Sequence, residues 1–130
     1  MIKPLPIQSL HHVVFCKKWE ACAAFYGQTL GFPETGRRSG FVEFSVASEA
    51  CIGLIDVAGR PGYGDPSQTP GLLALRTENI QVLHAGLVSR IPVLPSIRRH
   101  PWGALVFEIR DPEGRRIEFW QKIPPDTLNG

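Results

Sequence analysis

The sequence predicts an α+β fold of two tandem βαβββ modules, which form a cupped, mostly antiparallel sheet with helices on its outer face. The chain has 130 residues, of which 43% are hydrophobic, enough for one compact domain with a core. The order strand, helix and three strands occurs twice, over about residues 8–57 and 71–122. The two halves also match in pattern, His12–Cys16 with Leu72–Arg76 and Ile52–Ile55 with Ile117–Trp120.

The first module begins with an apolar, β-branched strand, Leu10–Cys16. We expect Val13 and Phe15 to face the helix, which places His12 on the open face of the sheet. Apolar residues at helical spacing predict a helix from about Trp19 to Leu30, ended by Gly31 in a left-handed cap. Three strand candidates follow it: Glu34–Arg38, Phe41–Ala47 and Cys51–Val57.

A loop rich in glycine and proline, residues 58–70, connects the modules, and Tyr63 at its middle either closes over a pocket or only pins the loop. The second module repeats the pattern. Its helix follows the spacing from about Ile80 to Arg90, with Thr77 or Asn79 as the N-cap. The predicted strands are Gly71–Thr77, Val93–Arg98, Ala104–Arg110 and Arg115–Gln121.

The last two strands form a hairpin, because Asp111-Pro-Glu-Gly is a turn sequence between two alternating runs. Ile117 and Phe119 share one strand face, while Glu118 and Trp120 share the other. The first pair suits the core. Glu118 and Trp120 therefore point into the open, concave face, which is the natural pocket.

Composition excludes several classes of protein. The net charge is only +2 and the arginines are dispersed, so we expect no nucleic-acid partner. No apolar stretch is long enough to span a membrane and the first residues lack the apolar core of a signal peptide, which predicts a cytoplasmic protein. Three cysteines at unrelated spacings indicate neither a disulfide framework nor a zinc cluster.

Taken together, the duplicated plan and four motifs resemble the vicinal oxygen chelate superfamily, which includes glyoxalase I, bleomycin-resistance proteins and extradiol dioxygenases. The motifs are Phe25-Tyr26, Leu30-Gly31-Phe32, Pro101-Trp102-Gly103 and the segment DPEGRRIEFWQ from Asp111. The resemblance covers about residues 8–122 as a single domain. It also implies a homodimer that binds a small organic molecule.

In the metalloenzymes of that superfamily, a divalent ion is held by residues on the first and last strands of each half. The resemblance implies His12 and Glu118 as ligands of Zn, Ni, Fe or Mn in this chain. The other two equivalent positions are Gly53 and Leu72, which offer no ligand atom, and a metal site needs three protein ligands or more. Glu43 and Glu108 are the carboxylates that could complete the set.

Two functions remain open on this reading. The first is a metal-dependent lyase or dioxygenase acting on a substrate with vicinal oxygens, in which Glu118 or Glu108 moves the proton. The second is a metal-free protein that sequesters a drug or metabolite. Its walls would be formed by five residues, Trp120, Trp102, Phe44, Arg76 and Tyr63. Ion pairs with Arg76 or Arg116 are the alternative role for Glu118, and pairs with Arg110 or Arg116 are that for Glu108. A structural or regulatory partner domain is a third alternative.

Overall fold

The computed structural model describes residues 3–68 and 71–123 and divides into an N-terminal unit, Met1–Gly64, and a C-terminal unit, Asp65–Gly130. Each unit holds one four-stranded sheet and one main helix, and the strand order is the same in both, first, fourth, third, second. One pair of strands in each sheet is parallel and the other two are antiparallel. The predicted α+β fold of two βαβββ modules is confirmed.

In the N-terminal unit the elements are β1 (Leu10–Cys16), α1 (Trp19–Ala24), β2 (Glu34–Arg38), β3 (Phe41–Ala47) and β4 (Ala50–Asp56). A π-helical turn, Phe25–Thr29, continues α1. Lys18 at the start of α1 makes no side-chain cap, and Gly31 has a φ of +76° just past the end of the helical segment. The predicted bounds of this helical segment and of β2 and β3 are close to those observed.

In the C-terminal unit the elements are β5 (Leu73–Arg76), α2 (Ile80–Leu87), β6 (Arg98–His100), β7 (Ala104–Arg110) and β8 (Arg116–Lys122). Asn79 caps α2, because its side chain accepts a hydrogen bond from the backbone nitrogen of Val82 at 3.2 Å. A short 3₁₀ turn, Pro66–Gln68, precedes β5. The end of the predicted connection, residues 69 and 70, lies outside the described residues.

The predicted strand Val93–Arg98 is wrong, since only Arg98 of that range belongs to a strand. Pro92 and Pro95 have no backbone N–H to give to a neighbouring strand, and the chain pairs with β7 only after them.

Each sheet has a core face, against which its own helix packs, and an opposite face that we call the helix-free face. In the C-terminal unit the His84 ring of α2 lies edge-on to Phe107 of β7, with centroids 4.8 Å apart, so Phe107 and the buried Ile117 and Phe119 mark the core face. The helix-free face carries the alternate residues of the same strands, among them Glu118 and Trp120, as predicted. No helix of the described part of the chain is long and apolar enough to cross a membrane.

Candidate functional site

A broad depression of about 850 Å³ lies on the helix-free face of the C-terminal unit. That volume is within the range of small-molecule sites. All four strands of the sheet contribute to it, together with the turn before β7. Four of the residues predicted to form the site line it together: Glu118, Trp120, Trp102 and Arg76.

The register of the strands places one row of side chains across the floor of this depression. Arg76 pairs with Trp120, Trp120 with Val106, and Val106 with Arg98, each on the next strand. Neighbouring strands are about 4.8 Å apart, so the Cα atoms of the two arginines at the ends of the row are about 14 Å apart. An indole and an isopropyl group therefore lie between two cationic residues.

The adjacent row is acidic. Glu118 and Glu108 are directly opposite each other on β8 and β7. Both oxygens of Glu108 accept hydrogen bonds from Arg116, at 2.7 and 3.1 Å, and this arginine, followed by the more distant charges of Arg110 and Arg98, holds the pKa of Glu108 below its usual range. Glu108 is therefore an ion-paired carboxylate, which is the alternative role considered for it from the sequence.

Aromatic rings lie on the floor of the depression and in the turn before β7. The guanidinium of Arg76 lies 5.3 Å from the centroid of the Trp120 ring, a cation–π contact. Trp102 is 79% exposed and its ring centroid is 4.5 Å from that of His100. The Nδ1 atom of His100 is buried and has no hydrogen-bond partner in the described structure.

A second polar cluster lies on the helix-free face of the N-terminal unit, around Glu43 of β3. Glu43 accepts hydrogen bonds from His11 Nδ1 at 2.9 Å and from Thr35 Oγ1 at 3.0 Å, and these bonds lower its pKa. Burial, followed by the charge of Glu43, raises the pKa of the Cys51 thiol. The ligand atoms of His11, Glu43 and Cys51 all lie within 4.8 Å of one another, so these three side chains could hold a metal ion.

Two predicted site residues of the N-terminal unit lie elsewhere than expected. The prediction that His12 lies on the open face is wrong, because Val14 and Cys16, which share its side of β1, are 8% and 0% exposed, while Val13 and Phe15 are 45% and 44% exposed. His11, one residue earlier, is the histidine on the helix-free face.

The second is Phe44. The prediction that it lines the cup is also wrong, because Phe44 is 2% exposed and its ring packs against Gly27 of the helical segment, on the core face. It lines a different depression, of about 460 Å³, beside residues of α1 and β2. Tyr63 keeps its ring 4.9 Å from that of Phe15, measured between centroids. That contact fits a loop-pinning role, and the role of a lid stays a prediction.

The structure aligns β1 with β5 one residue differently from the alignment that the sequence pattern predicted. Val13 pairs with Gly53 in the parallel β1–β4 ladder, and Ala74 pairs with Glu118 in the equivalent β5–β8 ladder. With Gly53 set on Glu118, the residue that matches Leu72 is His11 and not His12. The implied ligand positions are then His11, Gly53, Leu72 and Glu118, and only two of these four residues offer a ligand atom.

These residues do not fit a divalent ion at the positions that the sequence implied. Glu118 belongs to no group of three described histidine, cysteine or acidic side chains close enough to share an ion. In its own unit the side chains around it in the depression are mainly cationic or apolar. The described residues around Glu118 therefore provide no metal site that could support a catalytic step.

Sequence reasoning missed His11, Cys51 and Arg98. Placing His12 on the open face puts His11 on the other face of the strand, and the spacing of the cysteines gives Cys51 no role in a site. Arg98 was placed at the end of a strand that does not exist, so its face could not be deduced. No signal in β1 itself separates His11 from His12, because the four residues that follow them are all apolar.

Comparisons with known proteins agree with this fold. The model of the Glyoxalase/Bleomycin resistance protein/Dioxygenase superfamily matches residues 9–119. Comparison with curated proteins finds no match. A glyoxalase/bleomycin resistance protein/dioxygenase from Nocardioides is similar in structure, with a TM-score of 0.75 at 20% identity, covering 95% of this chain and 88% of the other.

Two further solved structures are similar over nearly their whole length. An antibiotic-binding protein from Streptomyces sp. CB03234 has a TM-score of 0.72 at 24% identity, covering 92% of this chain and 99% of its own. A lactoylglutathione lyase from Agrobacterium tumefaciens has a TM-score of 0.67 at 19% identity, covering 92% and 96%. At such identities the likeness is one of fold. Because the model of that superfamily matches most of this chain, residues 9–119, the chain belongs to the glyoxalase/bleomycin resistance protein/dioxygenase superfamily.

Proposed function

We propose that this protein binds a small organic molecule in the depression of the C-terminal unit and sequesters it without a metal ion. The observation that carries the proposal is the lining of that depression, in which the indole rings of Trp120 and Trp102 lie among charged side chains. The antibiotic-binding relative from Streptomyces offers a precedent for such a function on this fold.

Binding energy would come mainly from the aromatic side chains. An indole buries about 150–250 Å² when it is covered, and each Å² of apolar surface removed from water contributes roughly 25 cal/mol. Trp120 lies in the middle of the floor and Trp102 is 79% exposed before any ligand covers it. We therefore assign most of the affinity to these two rings.

The metal-dependent lyase or dioxygenase is supported less well. Its general base would be Glu118 or Glu108, but Glu108 is fixed by two hydrogen bonds from Arg116 that lower its pKa and make it a weak base at neutral pH. Glu118 has no partner ligands for an ion within its unit among the described residues.

The experiment that tests the binding function is a screen of aromatic and drug-like compounds by isothermal titration calorimetry. Trp120→Ala is the test variant and Val93→Ala, whose side chain is 85% exposed and outside the depression, is the control. We expect hits that lose roughly tenfold or more in affinity in the first variant, about 1.4 kcal/mol, and keep it in the second. Hits with equal affinity for both variants would contradict the proposed site.

A second candidate function is metal-dependent, and the cluster of His11, Glu43 and Cys51 favours it. An imidazole, a carboxylate and a thiol are the ligand types that zinc takes at three-ligand catalytic sites, and thiolates also suit iron. The cluster could bind the ions that the resemblance implied, Zn, Ni, Fe or Mn, and His11 would then take the role expected of His12.

Adjacent histidines provide the control for that candidate. Metal content measured by mass spectrometry after reconstitution with zinc should be lost in His11→Ala and Cys51→Ser and kept in His12→Ala, because His12 lies on the other side of β1. Metal lost only in His12→Ala would restore the ligand pair implied by the sequence. Absence of metal in the unmodified protein would rule out the metal-dependent candidate and leave small-molecule binding as the proposed function.

The remaining expectation is a homodimer. Large apolar side chains outside the depression stay exposed on the single chain, among them Val82 at 67% and Val88 at 58%. A second copy could cover such residues. Sedimentation equilibrium should then give twice the 14.4 kDa of one chain, and a monomer at all concentrations would refute it.

A further inference from the structure

The charges around the depression of the C-terminal unit are unequal. Its described lining residues include four cationic side chains, those of Arg76, Arg98, Arg116 and Lys122, against the single carboxylate of Glu118. Arg116 is already engaged by Glu108. Three cationic groups therefore remain for one carboxylate, and a bound ligand meets a net positive field.

The two arginines at the ends of the floor row are available to a ligand. Neither Arg76 nor Arg98 lies within ion-pair distance of a carboxylate, as far as the structure describes the chain. Arginine presents planar N–H groups that match both oxygens of a carboxylate. Each end of the row is therefore a place where an acidic group could be bound.

Arg76 is also held in place before any ligand arrives. Its guanidinium carbon lies over the Trp120 ring, 5.3 Å from the centroid, and this cation–π contact orders the side chain. A side chain that is already ordered loses less conformational entropy on binding. Trp120 thus serves both as a surface for a ligand ring and as a support for the cation beside it.

Glu118 limits where an acidic group can be bound. It lies in the row next to the floor, opposite Glu108 and beside Arg116. A ligand carboxylate near that row would meet a like charge, whereas the floor row carries a cationic residue at each end. The arrangement favours a ring against Trp120 with its acidic group directed along the floor row.

Resting on the proposed binding function, we propose that the ligand is a planar aromatic acid. Its ring lies against Trp120, because Val106 is 2% exposed and already covered, and its anionic group is bound by Arg98 or Arg76. The chemical class is set by the floor, which is aromatic and apolar, and by the ends, which are cationic. Cationic aromatic compounds, the class expected for cation–π binding alone, are excluded by the same arginines.

Three probes with one ring system test the class directly: 2-naphthoate, 2-naphthamide and 2-naphthamidinium, which carry a negative, a neutral and a positive planar group. Titration calorimetry at pH 7.5 and low salt should give the carboxylate roughly tenfold tighter binding than the amide, with the amidinium weakest. The preference should shrink when salt is raised, since exposed charges are screened.

Neighbouring arginines on β6 give a matched pair of variants. Arg98→Gln should lower the affinity for 2-naphthoate about three- to tenfold and leave that for 2-naphthamide unchanged, because it removes one charge from the end of the row. Arg99→Gln should change neither, because Arg99 is on the other face of the strand and does not line the depression. Both side chains are exposed, so both variants should keep the circular-dichroism spectrum of the unmodified protein.

The results separate this inference from the function on which it rests. Equal affinities for the three probes, or tightest binding of the amidinium, with all affinities lost in Trp120→Ala, would overturn the aromatic acid and keep the binding site. Equal effects of Arg98→Gln and Arg99→Gln, with an unchanged affinity for 2-naphthoate in Arg76→Gln as well, would also overturn it. If no probe binds and no compound of the wider screen depends on Trp120, both proposals are wrong.

Discussion

Gly27 is a residue at which a single methyl group should matter. A Cβ atom placed there would lie 2.8 Å from Cε1 of Phe44, closer than carbon atoms pack. Phe44 is 2% exposed and has little room to move. We expect Gly27→Ala to lower the free energy of unfolding by about 1–3 kcal/mol through overpacking, measured by urea denaturation.

Gly86 of α2 is the control for that variant. No atom lies within 4 Å of the position that its Cβ would occupy. Alanine is the better helix former by up to about 1 kcal/mol, so Gly86→Ala should be neutral or stabilising. Equal losses in both variants would mean that helix glycines matter here for a reason other than contact with Phe44.

Glu118 gives a second prediction at this scale. If its charge only restricts where an acidic ligand binds, Glu118→Gln should tighten the binding of 2-naphthoate about two- to fivefold, because a like charge is removed from the depression. The affinity for 2-naphthamide should stay within experimental error. Weaker binding of both probes would instead make Glu118 a direct contact of the ligand.

Single residues were predictable from sequence where the two strand faces differ in character. Arg116, Glu118 and Trp120 alternate with Ile117 and Phe119, so one face is polar and the assignment of that strand is confirmed. In β1, Val13, Val14, Phe15 and Cys16 are all apolar, and period-two alternation cannot separate the faces. A shift of one residue then moves every side chain to the other face, which is how His12 was chosen instead of His11.

At the scale of elements, the turn between β7 and β8 depends on one buried carboxylate. Asp111 accepts hydrogen bonds from the backbone nitrogens of Glu113 and Arg115, at 2.9 and 3.0 Å, and from the guanidinium of Arg115 at 2.7 Å. Its side chain is 0% exposed. Asp111→Ala would remove these three hydrogen bonds from a buried site, and we expect the free energy of unfolding to fall by about 3 kcal/mol.

Asp56 is the matched control for the turn. Its side chain accepts one hydrogen bond, from the backbone nitrogen of Ala58 at 3.0 Å, in a more exposed turn. Asp56→Ala should therefore cost about 1 kcal/mol or less. Thermal unfolding of the two variants under the same conditions gives the comparison, and a cost for Asp56→Ala as large as that for Asp111→Ala would argue against the role of burial.

The pair of Glu108 and Arg116 joins β7 to β8 and should respond to pH in a defined direction. Arg116 lowers the pKa of Glu108, so the ionised carboxylate is favoured by the folded state. The stability it contributes is present above the unfolded pKa of about 4.3 and is lost as the pH falls through the lower, folded pKa. The unmodified protein should therefore have a higher free energy of unfolding than Arg116→Gln near neutral pH. This difference should disappear as the pH falls through the folded pKa of Glu108.

A carbon-13 NMR titration of the Glu108 carboxyl group checks the cause. Its pKa should lie below the usual value for glutamate in the unmodified protein and rise in Arg116→Gln. Arg110→Gln should have a smaller effect, because Arg110 is 4.0 Å from the carboxylate and interacts through charge alone. An unchanged pKa in Arg116→Gln would show that the hydrogen bonds do not persist in solution.

Elements with regular alternation and clear end signals were predictable from sequence, whereas elements next to prolines were not. The bounds of β2, β3 and β7 agree with their patterns, and Asn79 caps α2 as its side chain suggests. The β6 strand occupies Arg98–His100, a run of three charged or polar residues without a strand pattern. Its pairing is set by the neighbouring β7, a tertiary contact that local sequence does not encode.

At the scale of the whole molecule, the two units share one order of strands and helix, but the side chains on their helix-free faces differ. At matching positions of the two sheets lie Phe15 and Arg76, and likewise Ile55 and Trp120. Glu43 is held by a histidine in one unit, while Glu108 is held by an arginine in the other. The backbone plan was therefore predictable from the repeat, but the chemistry of each face depends on substitutions that the repeat does not constrain.

The size of each unit leads to the last prediction. Each holds about 65 residues, and a chain of that length buries only about 60% of its surface on folding, which leaves it marginally stable. The three cysteines, all in the N-terminal unit, form no disulfide among the described residues, so no cross-link compensates for a small core. Fragments 1–64 and 65–130, expressed separately, should unfold in urea at lower midpoints than the full chain, or without a cooperative transition, as followed by circular dichroism. A fragment with the midpoint of the full chain would mean that its four strands and one helix already form a sufficient core.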